Sequence, residues 1–290
     1  VRSWAEHGAK KINFASVVEQ VRSVVDEILA GKAPIGGLAE ISSADAYTFA
    51  HSVDVCVLSV AAGVRMGHGR EKLLKLSVGA LLHDLGKTRV PPEILNKPGK
   101  LTPAEFAEIR KHPVWGYKLL LEDVDGEADP ASALVVLNHH ERFDGSGYPR
   151  RLAGGDVGEM AMICAAADMY NAMTTDRVYR RALPPHEAYE MLMGAGGSLL
   201  DFGVVKAFLS CVEPYPAGSV VRLSTGDAAC VVAVDPDLPF RPTVVLVPSG
   251  ETVDLKRELS LTIAGLLPAD EVRRFLIREA DGARAALRAG

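Results

Sequence analysis

Residues 78–88 read VGALLHDLGKT. The apolar run carries Asp84 to the end of what reads as a buried helix, and a buried carboxylate without a partner has a large desolvation cost. His83 stands directly before it. Consecutive helical residues point about 100° apart, since a turn takes 3.6 residues. A His-Asp pair at a helix end therefore suits two adjacent ions, or a bridge between them, better than one small chelate.

Other ligands of the same kind lie up and down the chain. Five of the eight histidines sit in four compact places: His51 in FAHSVDV, His83, His112 in RKHPVWG, and the consecutive pair His139-His140. Asp168 in ICAAADMY repeats the problem of a carboxylate in an apolar helix, and a metal would relieve it. Imidazoles and carboxylates without a thiolate make a nitrogen- and oxygen-rich set. Such a set fits iron, manganese, zinc or nickel and disfavours a structural zinc finger. His7, His68 and His186 read as core or surface histidines.

The paired histidines open the stretch HHERFDGSGYP, residues 139–149. Asp144-Gly145-Ser146-Gly147 has turn chemistry, with two glycines free to take positive φ. Pro149 then fixes the backbone just after Tyr148.

Bulk composition narrows the function classes. The chain has 290 residues and is mildly acidic, with Lys and Arg 32 against Asp and Glu 37. That balance argues against non-specific binding to nucleic acid or to an anionic membrane. No apolar run approaches the roughly 20 residues of a spanning helix, and the first residues lack a signal-peptide core. Cys56, Cys164, Cys211 and Cys230 lie in apolar stretches without CxxC spacing. They read as buried free thiols in a reducing cytoplasm.

The periodicity predicts a mainly α protein. Helices are expected over Phe14–Ala30, Asp45–Val64, Glu71–Leu82, from Thr102, over Pro130–Glu141, Val157–Ala172, Pro184–Met193 and Ser198–Val212. Thr102-Pro103-Ala104-Glu105 has the form of an N-cap. The character changes at Glu213-Pro214-Tyr215-Pro216. Short β-branched runs follow at Ser219–Leu223, Cys230–Val234 and Thr243–Val247, and the tail from Ala269 to Ala289 reads as helix again. The expected organisation is an N-terminal helical segment over 1–40, a helical bundle carrying a metal site over 41–213, and a small β-rich module with a terminal helix over 214–290.

His51, the HDLGK stretch with Lys87, His112-Pro113, HHERFDGSGYP and the Asp168 helix follow one another in the order of the HD-GYP domain, which residues 40–213 resemble. That family belongs to the HD superfamily of metal-dependent phosphohydrolases, helical proteins that degrade cyclic di-GMP. The resemblance implies a pair of divalent transition metals, with iron or manganese favoured. It implies Asp84 as the bridging ligand, with His51, His83 and Asp168 around one ion and His112, His139 and His140 around the other. Two such ions neutralise a phosphodiester, hold a bridging water and lower its pKa. Lys87, one turn beyond His83, is expected to contact the phosphate and offset charge in the transition state. Gly147 and Tyr148 become the edge of the substrate site. Arg177 and Arg180, flanking Tyr179, are expected at the second phosphate or a guanine, since Arg binds phosphate through a bidentate fork. Arg150 and Arg151 read as solvated charge. The implied partner is a cyclic dinucleotide, with neither nucleic acid nor membrane, and with a homodimer left open.

Two positions depart from the family pattern. Some members carry a Glu one turn before the first His, which helps to hold a third metal; here that place is Tyr47. Asp45 lies six residues before His51, about 120° off that face. Many members have Asp three residues after the metal-binding Asp, where this chain has Asn171. The expectation is a two-metal site, with the linear dinucleotide pGpG as main product and GMP slow to appear. The competing readings are hydrolysis of another nucleotide, such as cyclic GMP-AMP, and a non-catalytic domain that binds nucleotide or a partner. The β-rich segment also looks like an extension often found after HD-GYP domains.

Overall fold

A computed structural model of the chain describes residues 14–31, 47–122, 128–176, 181–247, 249–268 and 271–273. These residues form two compact units divided between Val212 and Glu213, with the short segment Pro184–Glu187 grouped with the second.

The first unit is helical. Its helices are α1 (Phe14–Leu29), α2 (Tyr47–Arg65), α3 (Arg70–Leu81), α4 (Pro92–Leu95), α5 (Pro103–Ile109), α6 (His112–Glu122), α7 (Pro130–Asn138), α8 (Glu159–Thr174), α9 (Pro185–Ala195, beginning in the second unit) and α10 (Phe202–Leu209). Two 3-10 turns, Leu85–Arg89 and Gly154–Val157, complete it. Helix α3 is buried from Leu76 to Leu81 without a break, and α8 from Ala161 to Ala167. A helix apolar on every side belongs in the middle of a bundle, and α3 packs against α1, α2, α7 and α8. Phe208 of α10 lies fully buried with its ring 5.5 Å from that of Tyr170 on α8.

The capping box at α5 forms as the sequence predicts. Thr102 accepts from the Glu105 backbone N–H, and the Glu105 carboxylate accepts from the Thr102 N–H. Other boundaries differ. Helix α7 stops at Asn138 rather than Glu141, because His139 is its C-cap and the Glu141 N–H turns back to the Asn138 carbonyl. The last helix of the unit begins at Phe202 rather than Ser198, where Asp201 caps it by accepting from the Val204 N–H. Helices α4 and α6 are additions to the sequence reading; His112-Pro113 starts α6, since Pro is tolerated in a first turn.

The second unit carries a five-stranded antiparallel sheet of β1 (Val220–Leu223), β2 (Ala228–Ala233), β3 (Thr243–Leu246), β4 (Thr252–Asp254) and β5 (Ile263–Leu266), in the order β4-β3-β2-β1-β5. Val221, Leu223, Ala229, Val231 and Val244 form its core with Leu255 and Tyr215. Strands β4 and β5 were not legible as β-branched runs. The expected tail helix lies almost wholly outside the described residues, of which 271–273 are helical. No described helix is long and apolar enough to cross a membrane. Cys56, Cys164 and Cys211 are buried and Cys230 half-buried, all as free thiols.

Candidate metal centre

Helix ends place most of the cluster. The last four carbonyls of a helix have no partner within it, and three histidines use them. His83 Nδ1 lies 2.7 Å from the Ala80 carbonyl at the end of α3. His112 Nδ1 lies 2.7 Å from the Ile109 carbonyl at the end of α5, and His139 Nδ1 2.8 Å from the Val136 carbonyl near the end of α7. A carbonyl can only accept, so each Nδ1 carries the proton, and in the neutral ring each Nε2 presents a lone pair. Such backing of one ring nitrogen is the usual support of a metal-ligating histidine.

Those lone pairs converge on Asp84. Its Oδ1 lies 3.4 Å from His112 Nε2 and 4.0 Å from His139 Nε2. Its Oδ2 lies 3.4 Å from His83 Nε2 and 3.8 Å from His51 Nε2. Asp168 Oδ1 lies 3.3 Å from His51 Nε2 and 4.0 Å from His83 Nε2. The ligand atoms fall into two groups, Asp84 with His112, His139 and His140, and His51 with His83 and Asp168; within each they lie within 4.8 Å of one another. Asp84 therefore turns one oxygen to each group.

The donor set fits divalent metal on the structure's own terms. His83 Nε2 and Asp84 Oδ1 are fully buried and make no hydrogen bond, although a buried polar atom without a partner is costly. Burial would raise the Asp84 carboxyl, but Lys87, His83 and His112 hold it well below the usual carboxylate range. Burial pushes His112 down to about 4 and His140 to about 3, and His139 far below its ordinary value, so these rings are neutral near pH 7. Burial works against charge on His83 too, but the Asp84 carboxylate outweighs it and raises this one ring. Asp168 is held low against its burial by the adjacent His51 and His83 rings.

Gly86 sets the spacing between the two halves. A Cβ there would lie 1.9 Å from the His112 carbonyl oxygen and 2.5 Å from the Gly116 nitrogen, so only glycine lets α6 approach the turn that carries Asp84. Lys87 donates to Asp84 Oδ2 at 2.6 Å, so its ammonium sits at the cluster itself.

The loop of residues 139–149 lies against one group. The Tyr148 ring stacks on His140 at 4.8 Å, and the Arg110 guanidinium lies 4.6 Å from the centre of the same ring. Gly145 has φ of +80°, as a turn glycine should, but Gly147 is glycine for another reason. A Cβ on Gly147 would meet the Arg142 nitrogen at 2.4 Å and Glu141 Cα at 2.5 Å. Glu141, 1% exposed, holds the returning loop by accepting from the Arg150 N–H at 2.5 Å and the Leu152 N–H at 3.1 Å. Arg150 is not simply solvated, since it donates to the Asn138 side chain at 2.9 Å.

All seven candidate ligands are thus brought together, with Lys87 and Tyr148 beside them and Gly147 packed on the Glu141–Arg142 backbone of the same loop. Arg177 and Arg180 lie outside the described residues, as does the side chain of Tyr47. The sequence reading passed over Asp54, Arg110, Asn138 and Glu141. Glu141 had a signal available, an acid directly after a buried His-His pair. Arg110 and Asp54 had none, because both look like ordinary helix-surface charge.

A helical bundle built around a His-Asp pair, with a nitrogen- and oxygen-rich cluster at its centre, defines the class. The chain belongs to the HD domain family, whose model matches residues 39–204. A cyclic di-GMP phosphodiesterase of Pseudomonas aeruginosa is 37% identical over 224 residues, which are 76% of this chain and 53% of that protein. A 3'3'-cGAMP-specific phosphodiesterase of Vibrio cholerae is 37% identical over 150 residues, 50% of this chain and 33% of its own length. The solved structure of an HDGYP protein from Bdellovibrio bacteriovorus shares the fold with a TM-score of 0.59 at 22% identity, covering 71% of this chain and 66% of that one. The chain spans about half the length, or less, of these two curated relatives.

Proposed function

We propose that residues 41–213 form a phosphodiesterase that opens cyclic di-GMP to the linear dinucleotide pGpG. Two divalent transition-metal ions, iron or manganese, would be held by His51, His83, Asp84 and Asp168 and by Asp84, His112, His139 and His140. The observation that carries this reading is Asp84 turning one carboxylate oxygen to each group of lone pairs. When bound, the ions supply charge neutralisation at the phosphate and a water acidified toward neutrality.

The chain's own residues do the rest. Backbone carbonyls hold three imidazoles as Nδ1–H tautomers, so no ring has to reorient to accept a ligand. Lys87 keeps an ammonium within reach of the reacting phosphate, where it offsets negative charge that grows as the bond breaks. Tyr148, stacked on His140 with the Arg110 guanidinium over its ring, places an aromatic and a cationic surface beside the cluster, and both suit a purine base. Arg177 and Arg180 are assigned the second phosphate or a guanine edge by their place in the motif order. The reaction belongs to the cytoplasm, the reducing compartment that suits four unpaired thiols.

A second reading, hydrolysis of cyclic GMP-AMP, is favoured by the Vibrio cholerae relative named for that substrate. Metal analysis together with turnover of both cyclic dinucleotides decides between them. We expect about two ions per chain and faster turnover of cyclic di-GMP; faster turnover of cyclic GMP-AMP selects the second reading. Asp84→Ala should lose at least one ion together with activity, and an Asp84→Ala protein of full activity would overturn the proposal. With Tyr47 in place of an acid, two ions give one nucleophile and one clamp, so a time course should show pGpG accumulating well before GMP. Rapid conversion to GMP would mean that a third ion is present.

A further inference from the structure

His51 differs from the other ligands in where its support comes from. It lies in the first turns of α2, where the carbonyls one turn back are committed to the helix's own hydrogen bonds. Among the described residues no helix end fixes its ring. Instead Nδ1 meets the side-chain oxygen of Asn171, 2.7 Å away on α8, and the Asn171 Nδ2 donates to Asp54 Oδ2 at 3.1 Å. Asp54 is one turn along α2 from His51, so the chain of bonds leaves α2, turns at α8 and returns.

The order of atoms in this chain is forced. A carboxylate can only accept, so Asp54 must face the amide NH2 of Asn171. The carbonyl oxygen of Asn171 is thereby aimed at His51, whose Nδ1 must then carry the proton. In the neutral ring the lone pair is then left on Nε2, which faces Asp84 and Asp168. Without Asp54 the amide could rotate and offer His51 a donor, and the ring would then face the cluster with N–H.

We propose that Asp54 and Asn171 together are positioning residues that hold His51 in the ligand-ready tautomer, with Asp54 supplying the negative charge that an acid at position 171 would otherwise bring. The inference rests on the reading of the His51, His83 and Asp168 group as a metal site, and is independent of which dinucleotide is cleaved. An acid placed at position 171 would face Asp54 at about 3 Å, where two like charges cannot both stay ionised. The two positions are therefore coupled: one acid and one amide satisfy the network in either order, and two acids do not.

The test is a Mn2+ titration of the metal-free full chain, competed with a chelator, alongside thermal melting. Asn171→Ala should weaken one of two Mn2+ sites about 10- to 100-fold, as loss of a ligand's supporting partner does, and leave the other unchanged. Asn171→Asp should weaken the same site. Combining it with Asp54→Asn should return the affinity to within about threefold of the parent. Two undisturbed sites in Asn171→Ala, or a combined variant no better than Asn171→Asp, would overturn the proposal. A parent chain that binds no Mn2+ would instead sink the metal reading itself. If the variants do not fold, long-range 1H–15N spectra of the metal-free parent decide: His51 should carry a proton on Nδ1, and a ring protonated on Nε2 alone refutes the inference.

Discussion

Asp84 and Lys87 share one hydrogen bond of 2.6 Å, and it binds the two parts of the chemistry together. Asp84 is nearly buried, whereas the Lys87 side chain keeps 32% of its surface open to solvent. A lysine in that position can follow a phosphate without losing contact with the cluster. Lys87→Ala should cut turnover by about 10²–10³, the usual loss on removing one electrostatic stabiliser, with the metal content kept. Unchanged kcat in a metal-loaded Lys87→Ala protein would reduce the residue to a charge partner of Asp84. Arg110 shows the limit of reading residues singly. It reads as surface charge two positions before His112, and the fold lays it against Tyr148.

Among the elements, the 3-10 turn Leu85–Arg89 and helix α6 decide whether the two groups face each other. Gly86 packs on the backbone of α6 at His112 and Gly116. A methyl group there has no flexible side chain to displace, only peptide atoms. Gly86→Ala should therefore separate α6 from the turn, cost about 3 kcal/mol, the upper end of overpacking penalties, and lose ions from the His112 group first. Calorimetry with metal analysis checks this, and a Gly86→Ala protein with native stability and metal content would show that α6 is freer than its packing indicates. The capping box of α5 was legible from four residues, because a cap is a local exchange of hydrogen bonds. Helix α6 was not, since Gly116 weakens its propensity and packing against α7 and the Leu85–Arg89 turn compensates.

On the scale of the whole molecule, every candidate ligand lies in the first unit, and residues 214–290 contain no histidine. The second unit has a core of its own in Val221, Leu223, Ala229, Val231, Val244 and Leu255. A fragment ending at Val212 should fold, retain its ions and keep measurable phosphodiesterase activity. A fragment that is folded and metal-loaded but inactive would place part of the chemistry in the β-rich unit.

Which residues gather was already legible along the chain. A carboxylate in an apolar helix must find a partner, and paired histidines with turn chemistry behind them have few other uses; these are properties of a residue and its near neighbours. How they gather came from the packing of distant helices. The side of Asp84 that each imidazole faces, the Asp54–Asn171–His51 chain and the Arg110–Tyr148 contact join separate helices, the Asn171–His51 bond across 120 positions of sequence. Strands β4 and β5 are likewise three and four residues long and take their register from pairing with β3 and β1. Helical periodicity and capping carry information over one or two turns, and contacts between distant segments are fixed only when the core closes.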